Sequence, residues 1–304
     1  MAKHRTDLSF TSSHGTCQAW HYRPDNPANT RQPCIVMAHG MGGTRDAGLE
    51  PFAESFVAHG FAVFVFDYLY FGASSGDPRQ LFSIKQQLAD WRNAIACARQ
   101  LPGVDPKKIA LWGTSLSGGH VITIASCDPE IAAVSALAPM LDGRAGSRQY
   151  LRLAGLLRTM QFTATCLSDR LRAWLDMSPR HIPLIDPNGG LAVMPGRDAA
   201  DGCRSIVPPN WRNEICPRYA LALRTYRPIN LMTKITCPVL IQICEHDELV
   251  ANRPILTMTK ADGGCTDVIQ HPCGHFDVYY GLHFQNALEN QIQFFKRTLM
   301  TDHR

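Results

Sequence analysis

Lys108-Ile109-Ala110-Leu111-Trp112-Gly113-Thr114-Ser115-Leu116-Ser117-Gly118-Gly119 is the stretch whose reading decides the fold. The first five residues read as a buried strand, and Val121, Ile122, Ile124 and Ala125 just beyond read as an apolar helix. A serine between them, flanked by very small residues, marks a sharp strand-to-helix turn that exposes its hydroxyl. The positions two before and two after the serine have almost no room for side chains. Gly113 meets that demand, and Ser117 meets it approximately. The turn aims the next backbone N–H, that of Leu116, at the place where an oxyanion would form.

Outward from this turn, buried strand-like runs alternate with helical patterns. Leu8–Ser12 and Cys17–Tyr22 read as strands joined by a turn at His14-Gly15. Cys34–Ala38 is an apolar run ending in His39-Gly40-Met41-Gly42-Gly43, and a helix is expected from about Asp46 to His59. Phe61–Phe66 reads as a strand, Ser83–Gln100 as an amphipathic helix and Ala132–Leu137 as a strand. The alternation predicts an α/β fold, with a mostly parallel central sheet covered by helices on both faces. It breaks at Pro139 and resumes at Cys237-Pro238-Val239-Leu240-Ile241-Gln242-Ile243. Between them lie two helical segments, a hairpin-like stretch (His181–Ile185, then Leu191–Met194), an irregular Pro/Gly/Arg-rich piece and one more helix. The expected organisation is a core over 1–140, an inserted lid (cap) over 141–233, and the rest of the core over 234–304.

Composition narrows the class. The 304 residues are 45% hydrophobic and 18% charged, with a net charge of +4, ordinary for a soluble globular chain. No basic stripe interleaved with aromatics appears, so nucleic acid is not an expected partner. The eleven cysteines are odd in number. Several, such as Cys34, Cys97, Cys127 and Cys244, sit in apolar runs, which predicts small buried thiols rather than a disulfide framework. Met1–Asp7 has no apolar leader core, no run approaches membrane-spanning length, and Thr301-Asp302-His303-Arg304 is no address signal. A cytoplasmic protein is therefore expected.

A serine hydroxyl needs a base within reach, and that base needs a group to hold its tautomer. Asp247 follows the strand Val239–Ile243, and His275 stands in Pro272-Cys273-Gly274-His275-Phe276-Asp277 after the strand Asp267–Gln270. The order serine, acid, histidine is the one this architecture uses. Glu245 is the rival acid, and His271 and His246 are the rival bases. Asp277 reads as a helix cap or loop residue, and Asp67 as a turn cap. The backbone N–H of Met41 is expected to join that of Leu116 as an oxyanion donor, with His39 bracing the loop. The lid's large apolar residues, including Trp174, Met160 and Phe162, either pack it onto the core or line an apolar substrate pocket. Twelve histidines form no metal-ligand spacing, and Gly40-Met41-Gly42-Gly43 lacks the Lys-Ser/Thr of a phosphate loop. Neither metal nor cofactor is expected.

Gly113–Gly119, His39–Gly43, Asp247 and Gly274-His275-Phe276-Asp277 together resemble the α/β-hydrolase superfamily over residues from about 30 to 300. Ser117, where that family's elbow usually has glycine, is the departure. The wider wording His39-Gly40-Met41-Gly42-Gly43-Thr44, Gly113–His120 and Gly274-His275-Phe276-Asp277-Val278-Tyr279 is similar to a narrower group. That group comprises fungal polyketide transferases and dienelactone-hydrolase-like bacterial enzymes. The resemblance implies an enzyme of secondary metabolism that accepts an apolar acyl group from an ester or thioester, free or on a carrier protein. It passes that group to an alcohol or to water. A serine peptidase of the same fold and a non-catalytic ligand-binding protein are the alternatives. Oligomeric state is left open.

Overall fold

Short runs of Val, Ile, Phe, Ala and Cys, too brief for helices and buried along their length, build the centre of the molecule. The computed structural model describes residues 5–25, 31–259 and 266–300, so the terminal residues 1–4 and 301–304 that bear on address signals lie outside the described residues. The elements in chain order are β1 (Arg5–Ser12), β2 (Gly15–Tyr22), β3 (Gln32–Ala38), α1 (Glu50–Ala58), β4 (Ala62–Phe66), α2 (Ile84–Arg99), β5 (Val104–Thr114), α3 (Leu116–Ala125), β6 (Ile131–Leu137), α4 (Gly143–Trp174), α5 (Arg197–Ile206), β7 (Val239–Cys244), α6 (Arg253–Thr259), β8 (Thr266–His271) and α7 (Gly281–Phe295). They form an 8-stranded sheet in the order β1-β2-β4-β3-β5-β6-β7-β8. The β1–β2 and β2–β4 pairs are antiparallel, and every pair from β4 to β8 is parallel.

Strand alternation divides the core into two layers. Cys34, Val36, Phe64, Phe66, Ile109 and Leu111 face a layer shared with Trp91 and Ile95 of α2 and Val121 and Ile122 of α3. Their neighbours Ile35, Met37, Val63, Val65, Ala110 and Trp112 face a second layer with Phe52 and Phe56 of α1 and Ile292 and Phe295 of α7. With both faces covered, the central strands read as continuous apolar runs, as parallel sheets do.

Two local expectations shift. The first helix begins at Glu50 rather than near Asp46, because Gly48 takes φ +72° and Pro51 suits only the opening turn of a helix. The stretch 181–194 is not a hairpin: Ile182 bridges to Ile215, and Ile185 makes an isolated bridge to Met194. The Asn213 side chain accepts from the N–H groups of Leu184 and Ile185 (3.1 and 3.0 Å), taking the place of a partner strand.

The ten described cysteines are all free, and seven are buried; Cys127, expected in an apolar run, is exposed. Among the described residues no helix is long and apolar enough to cross a membrane.

Candidate active site

Parallel register brings the C-terminal ends of β3, β5, β6, β7 and β8 to one edge of the sheet. Ala38 is level with Gly113, Thr114 with Leu137, Leu137 with Gln242 and Cys244 with His271. The chain leaves β5 through Ser115 at φ +54°, ψ −119°, a conformation that costs a non-glycine residue about 1–3 kcal/mol. Surrounding bonds hold it there. Ser115 N–H donates to Leu137 O (2.9 Å), and Ser115 O accepts from the N–H groups of Gly118 (3.0 Å) and Met140 (2.9 Å). A Cβ on Gly113 would lie 2.3 Å from Ser117 O, so glycine is required on the strand side. Gly118 and Gly119 are equally confined, by Pro139 and by Met140 O.

Ser117 has a use of its own. Its hydroxyl donates to His39 O (2.7 Å) and accepts from the Tyr68 hydroxyl, which in turn accepts from Trp91 Nε1–H (2.8 Å). This buried relay ties the turn to the loop after β3, where a Cβ on Gly40 would come within 3.0 Å of Ser115 Cβ. His39 donates Nδ1–H to Gly40 O (2.8 Å), while its Nε2 is buried without a partner among the described residues. Burial pushes its pKa down to about 4, so the ring is neutral, a brace rather than an acid. Trp211 Nε1–H closes the loop from the other side by donating to Gly42 O (2.8 Å). Sequence reasoning missed Tyr68 and Trp91; the one signal was a tyrosine two residues beyond β4 at the same sheet edge.

His275 Nε2 lies 3.2 Å from Ser115 Oγ, and His275 Nδ1 lies 2.6 Å from Asp247 Oδ2. The Asp247 carboxylate is wholly buried, and its other oxygen accepts from Leu249 N–H and Val250 N–H at 2.8 Å each. Backbone bonds join the acid and base loops: Glu245 N–H to His271 O (2.8 Å) and His246 N–H to Cys273 O (3.0 Å). The rivals stand elsewhere. Glu245 and His246 are exposed, and His271 is buried against the Gln242 side chain at 3.2 Å. Asp277 opens a short 3₁₀ turn (Asp277–Tyr279), accepting from Gly274 N–H (2.7 Å) and the Tyr280 hydroxyl (2.8 Å). Asp67 caps the turn after β4, accepting from Arg45 N–H (2.7 Å) and Ala73 N–H (3.0 Å). Among the described residues, no three His, Cys, Asp or Glu side chains are grouped to hold a metal ion.

Ser115 opens into a cavity of about 670 Å³, of the size that holds a small organic ligand. Met41, Leu116 and Met140 form its floor, and Tyr150, Phe162, Met194, Leu223 and Val250 are among its walls. Arg144, Arg148 and Arg224 also line it, and no Asp or Glu among the described residues does. Met41 and Leu116 therefore line the cavity together with Ser115. Of the three apolar residues singled out between β6 and β7, only Phe162 reaches the cavity. Met160 and Trp174 are corrected: they are 59% and 80% exposed on the opposite face of α4, because a helix cannot turn all its apolar residues to one side.

The family described as serine aminopeptidase, S33 matches residues 29–267. The quorum-quenching protein AidA of Acinetobacter baumannii is 39% identical over 294 residues, covering 96% of this chain and 94% of its own. The thiohydrolase aneE of Aspergillus aculeatus is 26% identical, covering 88% and 86%. The polyketide transferase grgF of a Penicillium species is 28% identical over 188 residues, covering 62% and 60%. Among solved structures, the alpha/beta hydrolase GrgF from Penicillium sp. sh18 superposes with a TM-score of 0.81 at 24% identity, covering 98% of this chain and 99% of the other.

Proposed function

The chain belongs to the serine aminopeptidase, S33 family of α/β-hydrolases, and from that premise we propose that it is a serine acyl-enzyme catalyst acting on an ester or thioester of an apolar acyl group. The observation that carries this reading is the line Ser115–His275–Asp247, with contacts of 3.2 and 2.6 Å, opening on the apolar cavity. Ser115 Oγ attacks the carbonyl carbon while His275 Nε2 takes the hydroxyl proton. Asp247 keeps Nδ1–H in place and offsets the imidazolium charge. The N–H groups of Met41 and Leu116 receive the oxyanion, a contribution worth about 2.7–4 kcal/mol per donor in such sites. The leaving alcohol or thiol departs with the proton from His275. Water or an acceptor alcohol, deprotonated by the same ring, then releases the acyl group from Ser115.

Relatives named for thiohydrolase and polyketide transferase activity support a thioester or polyketide-like acyl donor, and the quorum-quenching relative supports removal of a small diffusible molecule. Residues 141–233 act in this reading as the lid that shapes the acyl pocket. The aminopeptidase description of the family is the weaker guide here. A protonated α-amine needs carboxylates, and among the described residues the charged lining of the cavity beside Ser115 is arginine alone, while Asp198, Asp201, Glu248 and Asp277 line a separate cleft that His275 shares. Asp169, the buried carboxylate of α4, is already held by Arg218 at 3.1 Å. Time-resolved intact-protein mass after mixing with an acyl thioester tests the proposal beside Ser115→Ala. An acyl adduct confined to the wild type, discharged by an added alcohol, identifies a transferase. Rapid release of free acid without a lasting adduct identifies a hydrolase. Equal turnover by wild type and Ser115→Ala would refute the mechanism.

A further inference from the structure

The second half of α4, beyond the break at Gly155, presents two unlike faces. Thr165, Cys166 and Asp169 are buried, and Phe162 is half-buried against the core. Half a turn away at 100° per residue stand Leu157, Met160, Ala164, Leu167, Leu171 and Trp174, all exposed. Leu157, Met160, Leu167, Leu171 and Trp174 are 70%, 59%, 53%, 54% and 80% exposed. Their spacing alternates three and four residues throughout, which is the a/d seam of helices that pair along their length. Leu156 (68%) and Leu175 (53%) widen the stripe at its ends.

We propose that this stripe is a self-association surface, on which α4 packs against α4 of a second copy of the chain, antiparallel about a two-fold axis. The residues themselves carry the choice of partner. An antiparallel pair centred between Thr165 and Cys166 sets Leu157 against Trp174 of the second copy, Met160 against its Leu171, and Ala164 against its Leu167. Every layer is apolar, and each large residue at one end meets its counterpart from the other end. An isologous contact requires this self-complementarity. Charge does not oppose it: Gln161 falls beside Ser168 of the second copy and Thr163 beside its Arg170, so no like charges face each other. The exposed apolar residues present on the order of 1,000 Å² per copy, an upper bound on what pairing buries and comparable to one side of a specific interface (~800 Å²). A surface of this size left in water is unusual for a monomer. The inward face of the same helix supplies Thr159, Phe162 and Thr163 to the cavity wall, so pairing also fixes the wall from outside.

Sedimentation velocity on the full-length protein at micromolar concentrations tests the pairing, with Leu167→Glu and Ala164→Lys made separately and then mixed. The wild type is expected at twice the 33.7 kDa chain mass. Each variant alone is expected at the single-chain mass with native circular dichroism, because two like charges then meet near the axis. The mixture is expected to return to the two-chain mass, since Glu at 167 faces Lys at 164 only in the antiparallel register. A monomeric wild type, or a dimeric Leu167→Glu variant, overturns the proposal. A mixture that stays monomeric overturns the register. Ser115-dependent turnover, measured in parallel, reports on the catalytic reading separately.

Discussion

The sheet edge around Ser115 and the segment between β6 and β7 meet at one cavity, yet they are built on opposite plans. At the edge, backbone atoms do the positioning. Strand register levels the loops, glycines stand where a Cβ would strike a carbonyl, and the polar atoms of Ser115, Asp247 and Ser117 all have partners. Across the cavity, α4 is broken at Gly155 and shows apolar residues both inward and outward. The contrast separates two jobs. Bond-making geometry tolerates little displacement and is set by hydrogen bonds that admit one arrangement. Filling a cavity with a ligand depends on shape and apolar area, which many side-chain sets supply.

The hardest test of this division is at the reacting atoms. Ser115→Ala should lower kcat by about 10⁴-fold or more, and Asp247→Asn by about 10⁴-fold, with little change in melting temperature. Steady-state kinetics on a chromogenic ester would check both. A residual rate near wild type in either would dissolve the contrast. Next is Gly113→Ala, where the new methyl meets Ser117 O at 2.3 Å and a backbone carbonyl cannot step aside. A loss of about 3 kcal/mol or more in denaturant unfolding is expected. Normal stability would mean that the edge is less rigid than its contacts imply.

Acid should loosen the core behind the edge through its buried histidines. Burial lowers the pKa of His21 and His39 to about 4 and that of His120 to about 3, from 6.5. For such groups the unfolded state binds more protons between the folded and unfolded pKa values. Their stabilisation is present above about pH 6.5 and is lost as pH falls toward 4. Asp67 acts in the opposite sense, because burial raises its pKa to about 6 and the folded state takes up a proton first. Three histidines against that carboxylate should lower the unfolding free energy between pH 7 and pH 5 by on the order of 1 kcal/mol per histidine, and the melting temperature with it. A flat calorimetric profile over that interval would show that compensation is complete. The smallest effect belongs to the wall. Phe162→Ala should raise KM for long acyl esters by roughly 10-fold or less while leaving kcat for a short ester unchanged. A larger fall in kcat than in affinity would assign the wall a share of the chemistry and blur the comparison.

Much of the fold was legible because its signals are local. Short apolar runs, the alternation with amphipathic helices and the small residues around Ser115 each reflect a constraint within a few residues. The 181–194 stretch was misread for the complementary reason. Asp186-Pro187-Asn188-Gly189-Gly190 has hairpin chemistry, but the N–H groups beside it are met by Asn213, which lies 28 and 29 residues away. At the site, chain order narrowed the acid and base to Asp247 and His275 without separating them from Glu245, His246 and His271 by contact. Met160 and Trp174 could not be told from Phe162, since an apolar side chain carries no mark of which side of its helix meets the core.

Sequence alone determined the strand-to-helix turn at Ser115, the parallel sheet and the order serine, acid, histidine. Each follows from backbone sterics and short-range hydrophobic periodicity. Tertiary structure decided which histidine meets Ser115 across 160 residues of chain, and that Ser117 carries a relay from Trp91 through Tyr68 to His39. It also decided which face of α4 looks into the cavity. The physical reason is common to all three. These contacts depend on strand register and on how helices rotate against the sheet, and both are settled by the packing of the whole core.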